Sequence, residues 1–491
     1  MMNQSENRIL LPPLQKKLCR FAPVLDRAVE VYVMVTLFFQ VLLQISPAVT
    51  FLAYTPLYSI QTYLGLLGLV LIGADALIGG GIWRGKYCWL LYGIWAFAAL
   101  ASLRMLDYGL KENLFKLCWA AIQFALMYSL AWRPNQDRIR RNFKRLYGLL
   151  LTIWVVACLV SLYQYVAQIG YMAVINPLAV DSSATRQGFV DNRLFGIFYT
   201  LNHAAYISLM LFLLGIFFFL RSRNRWVKVL LLGAELILLS HILLSGSRSA
   251  YVSLMVCVFW IAWMLLRKRC CISGWRNEVA LLLAVVIFAM ALGSIAGLKA
   301  LLEEIPGLFH ENFSDTGDFD KAPPEDDLLH REDLEADQSN GRLSIWKDYV
   351  SLYRQVGLVG LSPGNYMPYI YEHHPQLYIV EYIRQNYPDK YASGIIYHVH
   401  SGYMMVYVSA GIAGFALLAV FMTLCVRRML RKVKGNRSLH YLFIGATVLV
   451  AAGAVSAMFD EGLFFQNMPH TTLFWLALGV LMRKSAPEDG K

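Results

Sequence analysis

The sequence predicts an all-α polytopic membrane protein of about 12 transmembrane helices with one large extracytoplasmic helical loop subdomain, and three observations carry that expectation. Hydrophobic residues make up 58% of the 491 and charged residues only 15%, against about 25% charged in an average soluble domain. Apolar runs long enough to cross about 30 Å of hydrocarbon as helix recur along nearly the whole chain. Lysine and arginine concentrate in alternate connections between those runs, as they do in cytoplasmic loops.

The first span is expected at 29–46. It follows a basic tail, 1–28, and no A-x-A cleavage pattern comes after it, so the tail reads as cytoplasmic rather than as a secretory signal. Spans two to nine are expected at 57–79, 87–103, 112–131, 147–168, 200–220, 228–244, 249–266 and 278–298, which makes 29–298 one block of transmembrane helices. Spans ten to twelve follow at 401–426, 441–458 and 469–482, within a second block at 401–482 and ahead of a cytoplasmic tail at 483–491. With both termini inside, the inner segments hold 30 of the 44 lysines and arginines. The net charge of +12 is therefore a topology signal, and no nucleic-acid partner is expected. All eight cysteines lie in the first tail, the spans or the inner loops, which predicts no extracytoplasmic disulfide framework.

Residues 299–400 form the one long outer segment, an extracytoplasmic loop subdomain in which 300–398 carries 17 acidic against 7 basic residues. Its first part, 311–342, is acidic and broken by Pro323 and Pro324, the composition of a surface loop. Glu325, Asp326 and Asp327 offer carboxylates to a divalent ion, although such a run is ordinarily a solvated loop. Beyond it, Leu343, Trp346 and Val350 fall at helical spacing after a start signal at Ser339 or Asn340, with Gly357 as the stop. A second short helix is expected over Gln376–Asn386, before Pro388. Together these predict a helical cap over the membrane body.

The outer membrane boundary gathers Arg193, Arg248, Arg342, His398 and His400 from separate outer segments. Arginine suits an anion at headgroup depth, because its planar guanidinium donates paired hydrogen bonds to phosphate oxygens and keeps its charge. Pyrophosphate is the anion expected there, and Ser245, Gly246 and Ser247 beside Arg248 are small enough to let a diphosphate approach the backbone. A histidine beside an acceptor hydroxyl supplies a general base at neutral pH. Plainer roles stand beside these. A lone arginine at a helix end also anchors to lipid phosphates, and Arg342 also suits pairing with the acidic loop. His398 and His400 form an H-x-H pair without a third ligand, so neither metal nor cofactor is expected, and either histidine also suits capping the tenth helix. Asp75, Glu235 and His241 fall inside spans, where pairing between helices and a role in transport or catalysis are both open. Asp460 and Glu461, in the short loop after span eleven, are secondary candidates.

Four segments in order, "RLFGIFYTLNHAA" (193–205), "LSGSRSAY" (244–251), "NGRLSIWKDYVSLYRQVGLVGLSPGNY" (340–366) and "HSGYMMVYVSAGIAG" (400–414), resemble the O-antigen ligase and O-antigen polymerase superfamily of GT-C type membrane glycosyltransferases. The resemblance implies transfer of a glycan from an undecaprenyl-pyrophosphate carrier to an acceptor hydroxyl, without a metal, at the outer face of a bacterial cytoplasmic (inner) membrane. The acceptor is a glycan, lipid or protein, which separates a ligase from a polymerase, and the surroundings are membrane lipids. By motif position Arg193 and Arg248 correspond to the family's pyrophosphate-binding arginines and His400 to its catalytic histidine, with Arg342 as a further substrate-binding arginine. The asparagine that commonly follows that histidine is here Ser401. A transporter or flippase of a lipid-linked glycan is the alternative; it calls for charged residues along a path through the bilayer and for inverted repeats, of which none is evident.

Overall fold

The computed structural model describes residues 19–78, 81–176, 184–272, 277–313, 341–386, 388–392, 399–435 and 441–483. Of the described residues, 80% are helical. Eight helices among the described residues are long and apolar enough to cross a membrane, and three shorter apolar helices, Cys88–Arg104, Leu442–Ser456 and Pro469–Met482, accompany them.

The chain opens with α1 (Ala22–Leu42), α2 (Ser46–Ala53), α3 (Ile60–Ile78), α4 (Cys88–Arg104) and α5 (Lys111–Ile122). The last continues through a π-turn at Gln123–Met127 and a 3-10 turn to Trp132. Helix α6 (Gln136–Val166) then leads into three antiparallel strands, β1 (Gly170–Ala173), β2 (Thr185–Val190) and β3 (Arg193–Gly196), in the order β1-β2-β3. This small sheet occupies 170–196, the connection expected between the fifth and sixth spans. Helices α7 (Leu201–Arg221), α8 (Arg225–Leu244), α9 (Arg248–Ile272) and α10 (Asn277–Phe313) follow. Helix α10 runs well past the expected end of span nine at 298, because Ala300, Leu301, Leu302 and Glu303 keep helix-forming character up to Pro306 and beyond.

The cap consists of α11 (Arg342–Ser351), α12 (Tyr353–Val356), α13 (Tyr366–His373), α14 (Tyr378–Asn386) and α15 (Pro388–Ala392). Helix α11 ends at Ser351, short of the expected stop; Gly357, at φ 53°, ends α12 instead. Its buried face differs from the expected one: Leu343 and Val350 are exposed, and Ile345 and Tyr349 are buried. The apolar spacing fits two stripes on so short a helix, and Ile345 and Tyr349, at i and i+4, are the pair that meets the core. The acidic residues Glu325, Asp326 and Asp327 and the start signals Ser339 and Asn340 lie outside the described residues. Helices α16 (Gly402–Gly435), α17 (Tyr441–Ser456) and α18 (Pro469–Met482) complete the bundle.

Helix α16 is broken at Gly411, whose φ of 71° and ψ of −170° are non-helical. The cap segment 357–361 fills the break. Ile412 and Ala413 donate their backbone N–H groups to the carbonyls of Gly357 (3.0 Å) and Leu358 (3.2 Å), and Leu361 N–H donates to Val408 O at 2.7 Å. A side chain on Gly360 or Gly411 would strike the backbone of the other segment. Two glycines in left-handed conformation are thus what lets the cap lie against a membrane helix and satisfy the groups the break frees.

One end of the bundle is pinned by charge. Arg133, whose side chain is fully buried, reaches Asp26 at 2.7 Å through Nη1 and Asp75 at 2.7 Å through Nη2. Arg84 adds a 3.3 Å contact to Asp26, and Arg138 pairs with the buried Glu30 at 2.8 Å. Asp75 therefore ties α3 to the α5–α6 connection, the structural one of its two expected roles. Glu235 is 7% exposed. A Cβ on Gly215 of α7 would lie 1.5 Å from its Oε1. Gly215→Ala is expected to destabilise the protein by about 1–3 kcal/mol through overpacking. A thermal melt of the double variant Gly215→Ala/Glu235→Ala should recover most of that loss, and no recovery would mean that Glu235 is not what the glycine accommodates.

Candidate functional site

At the opposite end, where α7, α9, α16 and α18 begin, the structure gathers most of the polar residues singled out in the sequence. Arg193 is the first residue of β3, and β3 is held in place from below: Ile197 N–H donates to Ser161 Oγ at 3.1 Å, and Gly196 adopts φ 61° against the Ser161 side chain. From there Arg193 Nε donates to the carbonyl of Ser245 at 3.2 Å, while its guanidinium lies 5.7 Å from the Phe195 ring centroid. Arg193 and the turn before Arg248 are thus direct neighbours.

That turn is tight because its serines serve as its scaffold. Ser245 Oγ donates to Ile242 O at 2.7 Å and accepts the N–H of Ser247 at 3.2 Å, Gly246 takes φ 61°, and Ser247 and Ser249 share a 3.3 Å hydroxyl contact. Arg248 then opens α9. A half-buried arginine on the first turn of a helix adds its charge to the positive end of the helix dipole, an arrangement that attracts anions.

Tyr206, buried on α7, lies between this turn and the rest of the site: Ser249 is close to its hydroxyl, and the charges of Asp460 and Arg342 act on it. Arg342 is the first residue of α11 and acts on the Tyr206 hydroxyl by charge. Asp460 gathers three histidines around it. His203 Nε2 lies 3.4 Å from its Oδ2, and the His203 and His470 rings are 5.6 Å apart. His400 and His470 also act on the Asp460 carboxylate by charge. Burial pushes that carboxyl up, but the charge and hydrogen bond of His203, with His470 and His400 behind it, outweigh burial and hold it below the ordinary value of 3.8.

His400 is fixed by its neighbours rather than by a regular element. It takes φ 54°, a left-handed conformation that costs a non-glycine residue energy and persists only where the surroundings impose it. On one side Val399 donates its N–H to the Glu461 carboxylate and accepts from Trp346 Nε1 of the cap at 3.1 Å. On the other, Gly402 N–H donates to Ala457 O (2.8 Å) and Asp460 O (2.9 Å), and Ser401 Oγ donates to Ala457 O at 3.4 Å. Glu461, 2% exposed, also accepts from Gln466 at 3.0 Å. The residue pair 460–461 thus serves the site twice, Asp460 toward the histidines and Glu461 toward the backbone.

The structure therefore brings together Arg193, Arg248, Arg342, His400 and Asp460. His398 lies outside the described residues. His241 is buried beneath the site as a packing residue, with Nδ1 2.9 Å from Ser208 Oγ and its ring against Phe198. His203, Tyr206 and His470 join the site without having been singled out. His203 stands within the quoted stretch 193–205, ten residues after Arg193, and that proximity was its signal.

Because the Asp460 carboxyl is held below its ordinary value, its stabilising contribution is complete above about pH 4 and is lost as pH falls through the lowered value. The melting temperatures of the wild type and Asp460→Asn are expected to differ at neutral pH and to converge below that range. A gap that stayed constant down to pH 2 would contradict this account.

Fold and site define a polytopic helical membrane protein with a cluster of arginines, histidines and carboxylates at one end of its bundle, beside the cap helices. Residues 234–419 match the family model described as O-antigen ligase, so this segment of the chain is similar to that superfamily. The matched segment includes Arg248, Arg342 and His400 and stops short of Asp460. No curated protein and no solved structure gives a match. The match supports a ligase- or polymerase-like role in polysaccharide biosynthesis, and with the apolar helices it suggests a glycosyltransferase-type protein of a bacterial inner membrane with a lipid-linked glycan donor.

Proposed function

We propose that the protein transfers a glycan from undecaprenyl pyrophosphate to an acceptor hydroxyl at the outer face of the cytoplasmic membrane, in a body of about twelve spans with both termini inside. The observation that carries this reading is the convergence of Arg193, Arg248 and Arg342 with His400 and Asp460 around Tyr206 and the turn at 245–247. Arg193 and Arg248 hold the diphosphate, with Arg342 closing over it from the cap. His400 takes the proton of the acceptor hydroxyl, whose oxygen attacks the anomeric carbon. The bond from that carbon to the diphosphate oxygen breaks, and the carrier leaves as its pyrophosphate. Charge builds on that leaving group in the transition state, which is where fixed guanidinium donors act most strongly. Asp460 orients the neighbouring histidines and stabilises the imidazolium that forms.

The arrangement favours transfer over passage of a lipid-linked glycan. Asp75 is locked to a buried arginine, so it does not stand free along a path through the helices. Purified protein in proteoliposomes, given a lipid-linked glycan and an acceptor glycan or lipid, tests the choice. Glycan moved to a new carrier or added to a growing lipid-linked chain supports transfer, and these two products separate ligase from polymerase. Translocation of labelled donor with no new glycosidic bond overturns the reading.

A further inference from the structure

A cleft of about 530 Å³ lies between α2 and strands β1 and β2, on the sheet whose third strand begins at Arg193. Its rim is aromatic: Phe51, Tyr54 and Tyr171 line it and are 72%, 75% and 44% exposed. Its floor is polar. Ser46 and Gln187 line it at 3% and 1% exposure, and among the described residues Ser46 Oγ and Gln187 Oε1 have no hydrogen-bond partner. Buried polar atoms are nearly always paired, so two orphans at the bottom of one cleft call for a hydrogen-bonding ligand.

The cleft is built rather than incidental. Gln187 Nε2 donates to Phe198 O at 3.2 Å and to Arg186 O at 2.9 Å, which fixes the direction of Oε1. Thr50 Oγ1 donates to Ile175 O at 2.9 Å, and Ser46 N–H donates to Ile197 O at 2.8 Å, so α2 is fastened to both ends of the sheet. A second cleft, of about 440 Å³ and lined by Val24, Leu64 and Leu67 among others, is almost wholly apolar and suits a lipid chain. The contrast is chemical: an acyl chain in the first cleft would leave Ser46 and Gln187 unsatisfied, at a cost of about 1–3 kcal/mol for each such group.

We propose that this cleft is a saccharide subsite that holds the glycan portion of the donor, its sugar rings stacked on Tyr54 and Tyr171 and its hydroxyls bonded to Gln187 Oε1 and Ser46 Oγ. Sugars present apolar C–H faces and hydroxyl edges, and pockets that join aromatic walls to a few placed polar atoms recognise both. The volume lies in the range of roughly 300–1,000 Å³ that encloses a ligand of a few rings. The choice of the donor rests on the transfer reading above: β2 carries Gln187 and pairs with β3, which begins at Arg193, so a glycan leaving a diphosphate at Arg193 runs along the sheet into the cleft.

The test uses the full chain in lipid nanodiscs. Its probe is the soluble oligosaccharide released by mild acid from the lipid-linked glycans of cells that express the protein, which carries no diphosphate. Saturation-transfer NMR should detect binding to the wild type, and Tyr54→Ala/Tyr171→Ala should weaken it at least tenfold, since both rings are at the surface and their loss leaves the core intact. Arg248→Ala should bind the same oligosaccharide as the wild type does. Absence of wild-type binding at millimolar probe, or equal binding by the double tyrosine variant, overturns the proposal. So does a double variant that merely loses co-purifying phospholipid while keeping the sugar, since the rings would then be membrane anchors. Failure of the wild type to transfer glycan from intact donor, with the binding pattern as expected, would overturn the transferase reading and leave the subsite standing.

Discussion

Arg248→Ala is expected to slow glycan transfer about a hundredfold to a thousandfold, the loss of about 3–4 kcal/mol of transition-state stabilisation by analogy with removal of a single oxyanion donor. The position explains the size. Arg248 stands where a helix begins, after a turn whose hydroxyls are already engaged with the backbone and with each other, so water is a poor substitute for the missing guanidinium. Arg248→Lys should recover only part of the rate, because an ammonium offers charge but no paired, planar hydrogen bonds. His400→Ala should fall at least as far, through loss of the proton acceptor. Single-turnover transfer with purified protein and lipid-linked donor measures all three. Wild-type rates in both alanine variants would remove these residues from the reaction.

Arg133→Met should be the most destabilising single change at the other end of the bundle. It leaves Asp26 and Asp75 without the buried cation that both contact at 2.7 Å, and breaking one partner out of a buried ionic cluster typically costs about 3–5 kcal/mol. Arg84 still reaches Asp26, so Asp75 bears most of the loss. The triple variant Arg133→Met/Asp26→Asn/Asp75→Asn should regain much of the stability, because neutral side chains of the same shape do not need the counter-charge. Thermal unfolding in detergent distinguishes the two variants. Melting of Arg133→Met within a degree of the wild type would show that the cluster contributes little.

Much of this was legible in the sequence, and the remainder failed for identifiable reasons. Arg248 stood out because a permanent charge between two apolar runs has few explanations, and the structure puts it in the expected serine and glycine turn beside Arg193. Asp75 was visible as a charge inside a span. Its partner was hidden, since Arg133 reads as one more basic loop residue until α3 and the end of the α5 segment are side by side. His203, Tyr206 and His470 were missed because each sits within a first or second helical turn among apolar neighbours, where nothing local separates a packed histidine from one aimed at Asp460. The three strands were missed because they are only four to six residues long and β1 and β3 lack the β-branched runs that mark a strand. Leu343 and Val350 were assigned to the wrong face since a ten-residue helix completes fewer than three turns.

The broken helix at Gly411 bears on how the protein is made. Residues 357–361, which fill the break, leave the ribosome some fifty residues before Gly411 does, so the plug is already synthesised when its socket appears. Until the two meet, the N–H groups of Ile412 and Ala413 and the carbonyl of Val408 have no helical partners in surroundings that supply no water. Insertion of this helix and docking of the cap are therefore one event in biogenesis. A chain that lacks 357–361 is expected to stall there, with its tenth expected span incompletely inserted and exposed to membrane proteases.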